Sequence, residues 1–94
     1  MTAENELLPV GSVVDLDGVP FPVVIVGRGQ LRNDGSIWDY LGYPYPEGFI
    51  TDRESLLFSR DQIKEVRFVG LKSKSDEDLV LEIEKALGKI GTSN

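Results

Sequence analysis

No cysteine and no histidine occur among the 94 residues of the chain. Without cysteine there is neither a disulfide framework nor a thiolate metal site to supplement the core. Without histidine, the side chain that titrates near neutral pH, the commonest zinc ligand and every histidine-based nucleophilic triad are missing. Positive charge is scarce as well. Ten Lys and Arg stand against sixteen Asp and Glu, a net charge of −6, which repels phosphate backbones and anionic lipid headgroups at long range. Nucleic acid is not an expected ligand. No apolar run approaches the ~20 residues of a membrane span, and Met1 to Leu8 carries Glu4 and Glu6 where a secretory signal would be basic. The expectation is a protein without membrane insertion, located in the cytoplasm.

What is present describes an ordinary globular chain, 40% hydrophobic and 28% charged, with room for a single domain over residues 1–94 and fraying expected at 1–8 and 92–94. A chain this short buries only roughly 60–65% of its unfolded surface, so its core must be small.

Val13-Val14-Asp15-Leu16 reads as a short strand ending at the turn pair Asp17-Gly18. The four β-branched residues Val23-Val24-Ile25-Val26 predict a second strand, of a kind suited to burial on both faces, starting near Phe21–Val23 because Pro20 and Pro22 cannot donate to a ladder. Gly27, Gly29, Asn33-Asp34 and Gly35 read as a loop or a wide hairpin connection. Ile37 to Leu41 returns to strand, Trp38 and Tyr40 on one face and Ile37, Asp39 and Leu41 on the other, with periodicity leaving open which face is inside. Leu56-Leu57-Phe58 is a fourth short strand, and Ser59 to Gln62 has the spacing of a capping box around one helical turn that Ile63 anchors. In a fifth strand from Val66 to Leu71, Val66 and Phe68 are expected to share a face, with Arg67 on the other.

A helix is predicted over 76–90, capped by Ser75 and opened by Asp76, Glu77 and Asp78, with Leu79, Ile83, Ala86, Leu87 and Ile90 forming an apolar stripe. The resulting fold class is α+β: a small curled antiparallel sheet or partly open barrel of about five strands, with one C-terminal amphipathic helix.

Chemistry-bearing constellations are weak. Asp39 with Glu47 or Asp52 could flank a sugar as paired acids, but a domain of this size seldom holds the deep cleft required. Asp15, Asp17 and Asp34 lack any EF-hand spacing and read as hairpin charges. Gly27-Arg28-Gly29 begins like a dinucleotide fingerprint, yet Arg32 stands in the third glycine's place and no helix follows; a tight turn leaving the second strand explains both glycines. The basic pairs Arg28 with Arg32, and Lys72 with Lys74, read as solvated loop charges. No catalytic residue, metal ligand or cofactor is expected.

The segment Trp38 to Phe49 stands apart, because five of its twelve residues are aromatic and two are proline. Aromatic, proline-stiffened surfaces lose little entropy on association. Trp38, Tyr43, Tyr45, Pro46, Glu47 and Phe49 are therefore the candidate partner-binding residues. Trp38, Tyr40 and Phe49 could equally build a small core. The helix stripe Leu79, Ile83, Leu87 and Ile90 is the alternative partner or dimer face, so the expected state is a monomer or weak homodimer.

Leu8-Pro9-Val10-Gly11-Ser12-Val13-Val14, Ile25-Val26-Gly27-Arg28, Asp39-Tyr40-Leu41-Gly42, Tyr45-Pro46-Glu47-Gly48 and Ile63 to Gly70 together give the chain a likeness to a known family. Over about Leu8 to Leu71 it resembles the bacterial DUF4176 family, a domain of unknown function seen mainly in Gram-positive bacteria. The resemblance implies a non-enzymatic accessory protein whose gene lies beside type VII secretion components and LXG-type toxins. It makes Tyr45 to Gly48 either a binding loop or an architectural corner. The expected function is protein binding, as a cytoplasmic adaptor or chaperone for a type VII secretion effector. The alternatives are an immunity protein that neutralises a toxin, whose acidic surface would complement a basic cleft, and a small carbohydrate-binding domain built on Trp38 and Tyr45.

Overall fold

The computed structural model describes residues 6–91. Residues 1–5 and 92–94, and with them most of the expected fraying, lie outside the described residues, as does the side chain of Ile90. Among the described residues five strands, β1 (Val13–Leu16), β2 (Val23–Leu31), β3 (Ile37–Pro44), β4 (Leu56–Phe58) and β5 (Ile63–Phe68), precede one α-helix, α1 (Lys74–Gly91). They form one antiparallel sheet in the order β4-β3-β2-β1-β5. The architecture is α+β, as expected.

The topology dictates the curl. β4 and β5 lie at opposite edges of the sheet, yet only residues 59–62 join them. Four inter-strand spacings amount to about 19 Å across a flat sheet, more than the ~17 Å that five extended residues reach. The sheet must therefore roll up to bring its edges toward each other. The edges do not pair, so it is curled and not closed. The joining segment is a 3₁₀ turn, Arg60–Gln62, and its predicted cap is present: Ser59 N donates to Gln62 Oε1 at 2.8 Å.

The concave face holds the core: Leu7, Leu8, Val14, Leu16, Val23, Ile25, Tyr40 and Phe58, with Val80, Ile83 and Leu87 of α1 packed against it. Two of these correct an expectation. Leu7 and Leu8 fall in the stretch expected to fray, but both are buried, and Leu8 N donates to the Tyr40 hydroxyl at 2.8 Å while Leu8 O accepts from Arg28 Nη1 at 3.2 Å. Burial of two leucines and satisfied backbone groups hold the segment in place. Among the described residues no helix is long and apolar enough to cross a membrane.

β2 departs from its sequence reading in two ways. It does not end at Gly27 but runs on to Leu31, and the turn to β3 lies at 32–36, closed by Arg32 N donating to Ser36 O at 2.9 Å. Gly27 and Gly29 are strand residues. Gly29 has φ +62°, and a Cβ there would sit 2.9 Å from Ile83 Cγ2, so glycine is what lets α1 approach the sheet. Nor is the Val23–Val26 run buried on both faces. Val23 and Ile25 are buried, Val24 is half-buried and Val26 is exposed. Pairing skips from Ile25↔Gly42 to Gly27↔Leu41; the extra residue, Val26, resets the alternation, so Arg28 turns to the same face as its partner Tyr40.

A second bulge overturns the expected sharing of a face by Val66 and Phe68. Val14 pairs with Val66 but Val13 pairs with Phe68. Val14 faces the core, so Val66 does too, and Phe68 follows Val13 to the outside. The extra residue is Arg67. α1 starts two residues before its predicted position, because its cap is Ser73 rather than Ser75: Asp76 N donates to Ser73 Oγ at 3.1 Å and Glu77 N to Ser73 O at 2.9 Å.

Candidate functional site

α1 covers the concave face and leaves the convex face to loops. There the outward residues of β1, β2 and β5 and the end of β3 line an open groove of about 450 Å³, walled by Gly11, Val13, Pro22, Val24, Tyr45, Arg67 and Phe68. A second groove, about 340 Å³, also has Tyr45 in its lining, with Phe21, Pro44, Glu47, Gly48, Ile50 and Glu54. Tyr45 is thus a wall common to both. It is 50% exposed, Phe68 61%, and Phe49 and Ile50 62% each. Large apolar side chains left open to this extent on one face of a small domain make that face the candidate site.

The loop that presents them is tied down at several points. Tyr45 N donates to Pro22 O at 2.9 Å and Gly48 N to Pro44 O at 2.7 Å, closing the turn 45–47 in which the Tyr45–Pro46 peptide is cis and Gly48 has φ +72°. Beyond it, the Phe49 ring meets Tyr43 edge to face with centroids 5.1 Å apart. Thr51 caps the 3₁₀ turn Asp52–Glu54: Thr51 Oγ1 accepts from Arg53 N at 3.2 Å, while Glu54 Oε1 accepts from Thr51 N at 3.2 Å and Thr51 Oγ1 at 2.8 Å. Such a loop has little conformational freedom left to lose.

Charge is distributed unevenly around the two grooves. At the first, Arg67 Nε donates to both carboxylate oxygens of Asp15, at 3.0 and 2.9 Å. The second has two carboxylates, Glu47 and Glu54, and no cation among its walls. Neither takes part in an ion pair among the described residues.

Of the residues singled out in the sequence, Tyr45, Pro46, Glu47 and Phe49 come together on this loop. Tyr43 is buried beneath Phe49 and supports the surface rather than presenting itself. Trp38 is elsewhere. It pairs with Gln30 near the start of β3 and has the same strand parity as the buried Tyr40, so it belongs to the concave side, half-buried, with its Nε1 enclosed and without a hydrogen-bond partner. The rival helix face is divided: Ile83 and Leu87 pack against the core, and Leu79 is half exposed.

Val13, Val24, Phe21, Ile50 and Phe68 line the candidate site and are not singled out by the sequence. One usable signal was present. A run of four β-branched residues in a sheet with a single covered face leaves two of them on the outside.

Several of the acids and bases weighed for catalysis or ligand binding have structural partners. Asp39 accepts from Arg60 N at 2.9 Å and from Arg60 Nε at 3.3 Å, and Arg60 also clamps Glu84 of α1 at 2.9 and 3.0 Å. These bonds, Glu84's foremost, raise the Arg60 pKa above the usual guanidinium value. Arg28, read as a solvated loop charge, instead has its side chain only 4% exposed and donates to Asp76 of α1 at 2.8 Å. Burial raises the pKa of Tyr40 above its ordinary 10.0. Among the described residues no three acids gather to hold a metal ion. The concave face and its polar contacts thus hold the fold together, while the convex face keeps large apolar side chains exposed.

Neither a curated protein nor a solved structure matches the chain. The sequence model of one family, described as a domain of unknown function (DUF4176), matches residues 7–79, from the first core leucine into the first turns of α1. The chain belongs to the DUF4176 family.

Proposed function

We propose that this protein acts by binding another protein, as a non-enzymatic cytoplasmic adaptor or chaperone for an exported effector. The observation that carries this reading is the cluster of Tyr45, Phe49, Ile50 and Phe68, all half or more exposed, around two grooves on a sheet face that no helix covers. Such aromatic anchors on a hydrogen-bonded loop are the usual centres of binding energy. The setting, a locus with type VII secretion components and LXG-type toxins, is what the family resemblance implies. Affinity purification from the native host should recover an exported effector with the wild-type chain and lose it with Phe49→Ser/Phe68→Ser. Recovery of no secreted protein by the wild type counts against the reading.

The net charge of −6 favours one further reading, an immunity protein that covers a basic toxin cleft. The two separate cleanly: an adaptor increases export of its partner, whereas an immunity protein restores growth of cells expressing a neighbouring toxin. A carbohydrate platform of Trp38 and Tyr45 loses its basis, because the two lie at opposite ends of β3 and Trp38 faces the concave side.

A further inference from the structure

We infer that the two grooves flanking Tyr45 form one docking surface for an extended segment of a partner protein that carries an apolar and a basic side chain two residues apart. This deepens the protein-binding reading and rests on it. The first groove offers Val13, Val24 and Phe68 to an apolar side chain. The second offers Glu47 and Glu54, with no cation among its walls, beside Phe21 and Ile50. A long basic side chain suits that mixture, since its methylenes pack on apolar walls while its charge reaches the carboxylates.

The spacing follows from the shared wall. Side chains in van der Waals contact with opposite sides of one tyrosine lie about 7–8 Å apart, and residues i and i+2 of an extended chain project to the same side about 6.5–7 Å apart. A helical segment would bring i and i+4 to one side, at about 6 Å, with a bulkier body in an open and shallow channel.

Charge complementarity selects the occupant. A second copy of this chain would bring another net charge of −6 against the acidic groove. A partner with a basic, apolar segment satisfies both grooves.

A random peptide library displayed on phage and panned over the full-length protein tests the proposal, with the Glu47→Lys variant panned in parallel. Glu54 is replaced only by Gln, which retains the acceptor that caps Thr51. The wild type should enrich peptides with Leu, Ile, Val or Phe two positions from Lys or Arg. Glu47→Lys/Glu54→Gln should lose the basic preference, and a selected synthetic peptide should bind it roughly tenfold more weakly, an effect that diminishes as salt is raised. Phe68→Ser, altered at an exposed position, should lose the apolar preference. Enrichment without a basic residue, an unchanged selection by the Glu47 variant, or no enrichment by the wild type overturns the proposal. If the native effector still binds the Glu47→Lys/Glu54→Gln protein at full strength, the segment is wrong and protein binding stands. If no effector binds the wild type, the protein-binding reading fails with it.

Discussion

Tyr40 lies at the centre of the concave face, its ring stacked on Phe58 with centroids 5.2 Å apart and its hydroxyl accepting from Leu8 N. Tyr40→Phe keeps the ring and strands that N–H, so it should cost about 1–3 kcal/mol in urea denaturation. The same side chain sets an alkaline limit. Its folded pKa is raised by burial above 10.0, so the folded state holds the phenolic proton more tightly than the unfolded state. The associated stability is complete below about pH 10 and is lost as pH rises from there through the folded value. Denaturation midpoints of the wild type should fall above pH 10 more steeply than those of Tyr40→Phe. Gly29 is the second sensitive residue. Gly29→Ala forces a Cβ into the left-handed region and against Ile83 Cγ2, and should destabilise by about 1–3 kcal/mol by the same measurement.

At the scale of elements, α1 is held by ion pairs as well as by its apolar stripe. Arg28 reaches Asp76 near the N-terminus of α1, and Arg60 reaches Glu84 two turns on. Arg28→Met leaves Asp76 and Leu8 O in a mostly buried setting without their donor, so a loss of about 3 kcal/mol is expected, with hydrogen exchange accelerated first in α1. Arg67→Met makes the contrast: the Arg67 side chain is largely exposed, its pair with Asp15 lies at the surface, and the expected change is below about 0.5 kcal/mol.

The elements themselves were legible in the sequence because β-branched runs, turn pairs and the three- and four-residue spacing of α1 are properties of composition and period. The Ser59–Gln62 turn was legible because its cap is a fixed pattern. The bulges at Val26 and Arg67 were not. One extra residue in a strand leaves composition and propensity unchanged, yet it inverts every later side chain. The Arg67 bulge parts Phe68 from Val66, which simple alternation puts on one face, whereas Arg28 looks like a loop charge because Gly27 and Gly29 read as a turn rather than as part of β2. Half of the candidate site was visible for a related reason: Tyr45 to Phe49 is contiguous, whereas Val13, Val24 and Phe68 meet across three strands.

For the molecule as a whole, the core and the proposed binding surface lie on opposite faces of one curled sheet, and two phenylalanines separate them. Phe58 is 1% exposed and stacked on Tyr40; Phe68 is 61% exposed beside the first groove. Phe58→Ser removes a buried ring and introduces a hydroxyl into the core, so it should cost at least about 3–5 kcal/mol, a large share of the stability of a domain this small. Phe68→Ser removes a ring already in water, so its denaturation midpoint should stay within about 0.5 kcal/mol of the wild type. The order reverses for association. At a temperature where both variants remain folded by circular dichroism, Phe58→Ser should bind the partner nearly as the wild type does, while Phe68→Ser should lose at least ~tenfold in affinity, about 1.4 kcal/mol. If Phe68→Ser instead destabilises the fold as Phe58→Ser does, the convex face is part of the core and the surface assigned to a partner is not free.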